Sequence, residues 1–216
     1  MRREDLGMGE PREFKPQCDE YVFHVFRHGE TDWNVEGRFQ GHIDIPLNDR
    51  GREQAKGLIP KLLPFGLDVI LSSDLSRAHE TATILAQGLG ISVLTDPGLR
   101  EAYLGHAQGL TYDEILEQFG EDVTGQWRSH LPTDADVSYP GGETGNQVME
   151  RVFKTLEDFM RREPSFRKIG ISCHGGVIRR IMQRIRPPGG DPVRIPNAVL
   201  YQIGYDFGSR AWNLIE

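Results

Sequence analysis

The sequence holds only two cysteines in 216 residues, Cys18 and Cys173, and no C-x-x-C pair. Two thiols cannot build a disulfide framework, and the missing pair removes the simplest zinc reading, so reduced thiols are expected. Long apolar runs are also absent. No stretch approaches the roughly 20 residues that a membrane-spanning helix requires, and residues 1–18 lack the apolar core of a signal peptide. A cytoplasmic protein without a membrane partner is expected. Basic excess is lacking too: Asp and Glu outnumber Lys and Arg by 32 to 25. A polyanion-binding surface needs the opposite balance, which argues against nucleic acid as a partner and requires any cationic site to be local. There is no internal repeat, low-complexity tract or G-x-x-x-x-G-K phosphate loop.

What is present suits one domain with a sizeable core. Residues 1–19 are charged and carry Pro11 and Pro16 without apolar periodicity, which reads as an exposed tail before a single domain over 20–216. The run Tyr21-Val22-Phe23-His24-Val25-Phe26 predicts a buried strand, followed by a helix capped at Asn48 or Asp49 and kinked or shortened by Pro60. Asp68 to Leu71 reads as a strand, Leu75 to Leu89 as a helix, and Ile91 to Leu94 as a strand. Thr111-x-x-Glu114 and Thr144-x-x-Gln147 are capping-box signatures, the second opening a helix with Val148, Val152, Leu156 and Phe159 on one face. Lys168 to Ser172 is strand-like, Val177 to Ile185 helical, and short strands close the chain near Val199 to Ile203 and Ala211 to Leu214. This alternation predicts an α/β fold: a three-layer α/β/α sandwich with a mostly parallel central sheet and a small cap insertion about 104–140.

Three predicted strands end in bursts of ionisable or hydroxyl residues. They are Arg27-His28-Gly29-Glu30-Thr31, Ser72-Ser73-Asp74-Leu75-Ser76-Arg77 and Cys173-His174-Gly175-Gly176. Ligands of open α/β sheets bind beyond the carboxyl ends of strands, where helix N-termini offer unpaired N–H groups to anions. Forked guanidinium donors from Arg27 and Arg77 suit a phosphoryl group there.

Phe26-Arg27-His28-Gly29-Glu30-Thr31-x-x-Asn34 resembles the opening signature of the histidine phosphatase superfamily, which includes cofactor-dependent phosphoglycerate mutase. Later landmarks are similar and in the same order: Gln40-Gly41-x-x-Asp44-x-Pro46-Leu47, Gly51-x-x-Gln54-Ala55, Arg77-Ala78-x-x-Thr81-Ala82, Leu99-Arg100-Glu101, Pro140-Gly141-Gly142-Glu143 and His174-Gly175-Gly176. The resemblance implies that His28 is a nucleophile forming phosphohistidine, with Arg27, Arg77 and a protonated His174 holding the phosphoryl oxygens. Glu101 would be the acid, protonated to release the alcohol and ionised to activate water. Asn34, Gln40 and Gly175 would be neutral substrate contacts. No metal or other cofactor is expected, because the cationic pocket takes the charge-neutralising role that Mg²⁺ has in P-loop enzymes.

A duller reading makes the arginines surface ion-pair partners, Glu101 a solvated acid and the glycines plain turns; His24, His42, His79, His106 and His130 are read as structural. Cys173-His174-Gly175-Gly176-Val177-Ile178-Arg179 also fits the C-x-x-G-x-x-R loop of cysteine-dependent phosphatases, with Cys173 as nucleophile. That loop usually has His before the Cys and Ser or Thr after the Arg, where this chain has Ser172 and Arg180, and it leaves His28, Arg77 and Glu101 unexplained. Phosphomonoesterase activity on a small phosphorylated metabolite is the expectation. Mutase-type transfer is the alternative, which the resemblance disfavours: mutases of the family generally carry a longer insertion after the acid, whereas here only about forty residues separate Glu101 from Gly142. Few Lys or Arg in that segment argue against highly charged bisphosphates. A non-catalytic phospho-ligand module has little support, since every expected catalytic residue type is present.

Overall fold

The computed structural model describes residues 20–129, 131–186 and 194–215. The N-terminal tail reading, Cys18 and His130 lie outside them. Chain order gives β1 (Glu20–Arg27), α1 (Asp32–Val35), α2 (Asp49–Leu62), β2 (Val69–Ser72), α3 (Ser76–Leu89), β3 (Ser92–Thr95), α4 (Tyr112–Arg128), α5 (Gly145–Arg162), β4 (Lys168–Cys173), α6 (Gly175–Ile185), β5 (Leu200–Asp206) and β6 (Ala211–Leu214). Helix α2 runs past Pro60 and ends two residues later, passing into a 3₁₀ turn at Leu63–Phe65. Both capping boxes form, at Thr111 for α4 and Thr144 for α5.

The six strands form one sheet in the order β3-β2-β4-β1-β5-β6. Strands β3, β2, β4 and β1 are parallel neighbours, while β5 runs against both β1 and β6. Alternation along each strand divides the core. Phe23, Val25, Val69, Leu71, Ile169 and Ile171 face a cluster with Val148, Val152 and Leu156 of α5 and Val177, Ile178 and Ile181 of α6. Phe26 and Ile70 face the other way, onto Leu58 and Leu62 of α2 and Ala82 and Leu85 of α3. Helices therefore cover both faces, and the three-layer sandwich is observed.

Residues 104–140 contribute a 3₁₀ turn, α4 and a second 3₁₀ turn, anchored to the first cluster by Ile115, Trp127 and Tyr139. Gly120, at φ 82° and ψ 168°, breaks α4 into two arms. Such a backbone suits glycine, which has no Cβ to clash. Among the described residues no helix is long and apolar enough to cross a membrane.

Candidate active site

Sheet register assembles the site. Arg27 lies opposite Cys173 and Ser72 opposite Ser172, so the residues that follow these strands, His28, His174 and Ser73, come side by side at the carboxyl edge. His28 N donates to Cys173 O and Ser73 N to Ser172 O, each at 3.0 Å. The His28 and His174 rings lie 5.3 Å apart between centroids. Arg27, His28, Asn34, Gln40, Arg77, Glu101 and Gly175 line a cleft of about 350 Å³, within the range that holds a small metabolite.

His28 is nearly buried, and its Nδ1 is 2.6 Å from Gly29 O. A carbonyl only accepts, so Nδ1 carries the ring proton and Nε2 keeps its lone pair. Burial first, then the Arg27 and Arg77 charges, lower the His28 pKa well below 6.5 despite that hydrogen bond. The ring is therefore neutral at pH 7, the state a nucleophile needs.

Arg77 is almost fully buried and donates through Nη2 to Gly41 O (2.8 Å) and through Nη1 to Ile43 O (3.0 Å). Arg27 donates through Nη1 to Ile195 O (2.7 Å). Neither forms an ion pair with a carboxylate among the described residues, and the Nε of each is buried without a partner. Burial pulls the Arg77 pKa down to about 10, offset in part by Glu101 and Asp44, so its charge remains. Uncompensated buried guanidinium groups are costly in a fold, and a bound oxyanion relieves that cost.

His174 is fully buried behind His28, with Nε2 2.9 Å from Ser73 Oγ and Nδ1 unpartnered. Burial, followed by the neighbouring Arg77, His28 and Arg27, lowers its pKa well below 6.5, a direction that favours the neutral ring over the expected imidazolium. Cys173 is buried too, and burial followed by the Glu101 charge pushes its thiol pKa up. A thiolate nucleophile needs the reverse.

Glu101 extends across the cleft to the first turn of α6. Its Oε1 accepts from Ala102 N (2.8 Å) and its Oε2 from Gly176 N (2.9 Å). A Cβ at residue 176 would lie 2.3 Å from Glu101 Oε1, so any larger residue there would displace the carboxylate from this position. At Gly175 a Cβ would meet only an ordinary contact, 3.5 Å from Arg27 Nε.

The other sequence landmarks also hold the loops around the cleft, which Asn34 and Gln40 line. Gln40 donates to Thr31 Oγ1 (2.9 Å), and Asn34 Oδ1 accepts from Thr31 N (3.1 Å). Asp44 accepts from Ser76 N and Oγ, both at 2.8 Å, capping α3 from outside. Gln54 accepts from Glu30 N, and Thr81 from Gly29 N. Gly29 and Gly51 meet backbone to backbone: a Cβ at Gly51 would sit 2.1 Å from Glu30 O.

Three features escaped the sequence reading. Asn197 Nδ2 donates to His28 O, Gly29 O and Asn34 Oδ1, bracing the His28 backbone from a loop with no motif. His42, read as merely structural, donates through Nε2 to Glu101 O (2.7 Å). The outer cleft is more cationic than composition suggested, because Arg38 before the cap and Arg179 on α6 join Arg128 there. Arg38 is paired with Glu36 and Glu114, but Arg128 and Arg179 have no carboxylate partner among the described residues. This removes the argument against multiply charged substrates.

Residues 23–216 match the model of the histidine phosphatase superfamily, branch 1. The chain belongs to this superfamily. Superfamily relatives divide between two descriptions. Phosphoglycerate mutase-like protein 4 of Arabidopsis thaliana is 39% identical over 80% of this chain and 74% of its own. The uncharacterized phosphatase PhoE of Bacillus subtilis is 30% identical over 88% and 90%. A mycobacterial glucosyl-3-phosphoglycerate phosphatase solved with VO3 has a TM-score of 0.78 at 31% identity, covering 91% of this chain and 98% of that one.

Proposed function

We propose that the protein is a metal-independent phosphomonoesterase that transfers the phosphoryl group of a small metabolite to His28 Nε2 and then to water. The neutral His28 ring, with Nδ1–H committed to Gly29 O, carries this reading. Nε2 attacks phosphorus as the ester P–O bond breaks, and the departing oxygen takes the proton of Glu101. In the second step Glu101 removes a proton from water, the new P–O bond forms, and the P–N electron pair returns to Nε2. Arg27 and Arg77 stabilise charge on the phosphoryl oxygens. His174 Nε2 lies 2.9 Å from Ser73 Oγ and its Nδ1 has no partner among the described residues; in the tautomer with the ring proton on Nδ1, that nitrogen serves as a neutral donor.

Arg128 and Arg179, which line the cleft beside His28 without a carboxylate partner among the described residues, favour a leaving group that is itself anionic. Phosphoglycerate chemistry, named in the mutase-like relative and in the mycobacterial phosphatase, fits that requirement. The short cap favours water over a second substrate oxygen as acceptor. A panel of phosphomonoesters assayed in chelator tests the reading. Phosphate release from carboxylate-bearing esters should exceed interconversion of 3- and 2-phosphoglycerate, and faster interconversion would make the protein a mutase.

A further inference from the structure

Glu101 lies on a stretch with no regular secondary structure, between the 3₁₀ turns Pro97–Leu99 and Gly105–Ala107. Helix and strand geometry therefore cannot fix it. What fixes it comes from elsewhere in the chain. Arg151, midway along α5, donates through Nη1 to Gly98 O and Arg100 O, both at 2.9 Å, and through Nη2 to Glu101 O at 3.3 Å. The same guanidinium is held by Glu143 in a two-point pair, Nε to Oε1 at 3.0 Å and Nη2 to Oε2 at 2.8 Å.

Glu143 also grips the far side of the stretch. Its Oε2 accepts from Tyr103 N and its own N–H donates to Tyr103 O, each at 2.7 Å. His42 adds the donor to Glu101 O described above. Burial disfavours the Glu143 carboxylate, but the hydrogen bonds from Arg151 and Tyr103 outweigh it and hold the pKa below the usual range. The pair is only half-buried and its five donors reach three carbonyls and one carboxylate, more than a surface ion pair needs.

We infer that Glu143 and Arg151, assisted by His42, are positioning residues that hold Glu101 at the distance from the ester oxygen that proton transfer requires. This inference rests on Glu101 being the acid. Its consequence is specific in kcat/KM, which reports phosphoryl transfer to His28: in that step a displaced acid impairs only the esters whose leaving group needs a proton. General structural damage slows every substrate alike.

The test compares kcat/KM for β-glycerophosphate, a poor leaving group, with that for p-nitrophenyl phosphate, a good one, in the native chain and in Arg151→Lys, Glu143→Gln and Glu101→Gln. Arg151→Lys should cost β-glycerophosphate roughly tenfold or more and p-nitrophenyl phosphate less than about threefold, a smaller version of the Glu101→Gln pattern. Glu143→Gln keeps the side-chain shape and carries the test if Arg151→Lys does not fold. A leaving-group effect in Glu101→Gln with equal losses, or none, in both clamp variants overturns the clamp alone. Equal losses for the two esters in Glu101→Gln remove the acid assignment, and the clamp with it.

Discussion

His28 owes its chemical state to burial first and then to the Arg27 and Arg77 guanidinium groups, which suppress protonation, while the Gly29 carbonyl fixes the tautomer. Because its pKa is lowered, the nucleophile stays neutral as pH falls below 6.5. Turnover of p-nitrophenyl phosphate should therefore persist well below pH 6.5, and a loss of kcat/KM with an apparent pKa near 6.5 would contradict the shift. Cys173→Ser should retain turnover within about threefold, since the thiol is buried and protonated; abolished turnover would restore the cysteine as nucleophile. Arg128→Ala should raise KM for 3-phosphoglycerate by roughly tenfold or more while leaving p-nitrophenyl phosphate nearly unchanged, as expected for loss of a charge-assisted contact.

Helices and strands were legible where local physics decides them. The strand at Tyr21 to Phe26, the two capping boxes and the apolar face of α5 follow from alternation, caps and 3.6-residue spacing, and all form. Thr144→Ala, which removes a cap oxygen from α5, should cost about 1 kcal/mol in denaturant unfolding. Other landmarks carried a signal whose cause lay in another element. Gly176 looks like a turn residue in sequence, yet it lies in the first turn of α6 and makes room for a carboxylate 75 residues earlier. Gly176→Ala should therefore act like an acid defect, slowing β-glycerophosphate far more than p-nitrophenyl phosphate; equal rates for both esters relative to the native chain would refute the steric argument. Asn197 and His42 had no such signal, because each acts mainly on backbone carbonyls and any loop residue of the right reach can do that.

Across the whole molecule, the site costs stability. His24, His28 and His174 are all held neutral by burial, His24 at about 4, whereas in the unfolded chain each titrates near 6.5. The unfolded state binds more protons below pH 6.5, so stability is greatest above that pH and is lost as pH falls through it. The unfolding midpoint should drop between pH 7 and pH 5, and vanadate should raise it at pH 7 by binding only the folded site. The fold class and the convergence of Arg27, His28, Arg77 and Glu101 on one cleft were readable because these residues lie in an ordered series of motifs, most of them at strand ends. The charge of the outer cleft was not, since Arg38, Arg128 and Arg179 converge only once the sheet and cap have formed.

Rapid alkaline quench during turnover, followed by peptide mapping, measures directly whether His28 carries the phosphoryl group. The predicted result is an acid-labile, alkali-stable phosphate on the peptide containing His28, absent in His28→Ala together with turnover. Phosphate on Cys173, or full turnover in His28→Ala, would contradict it.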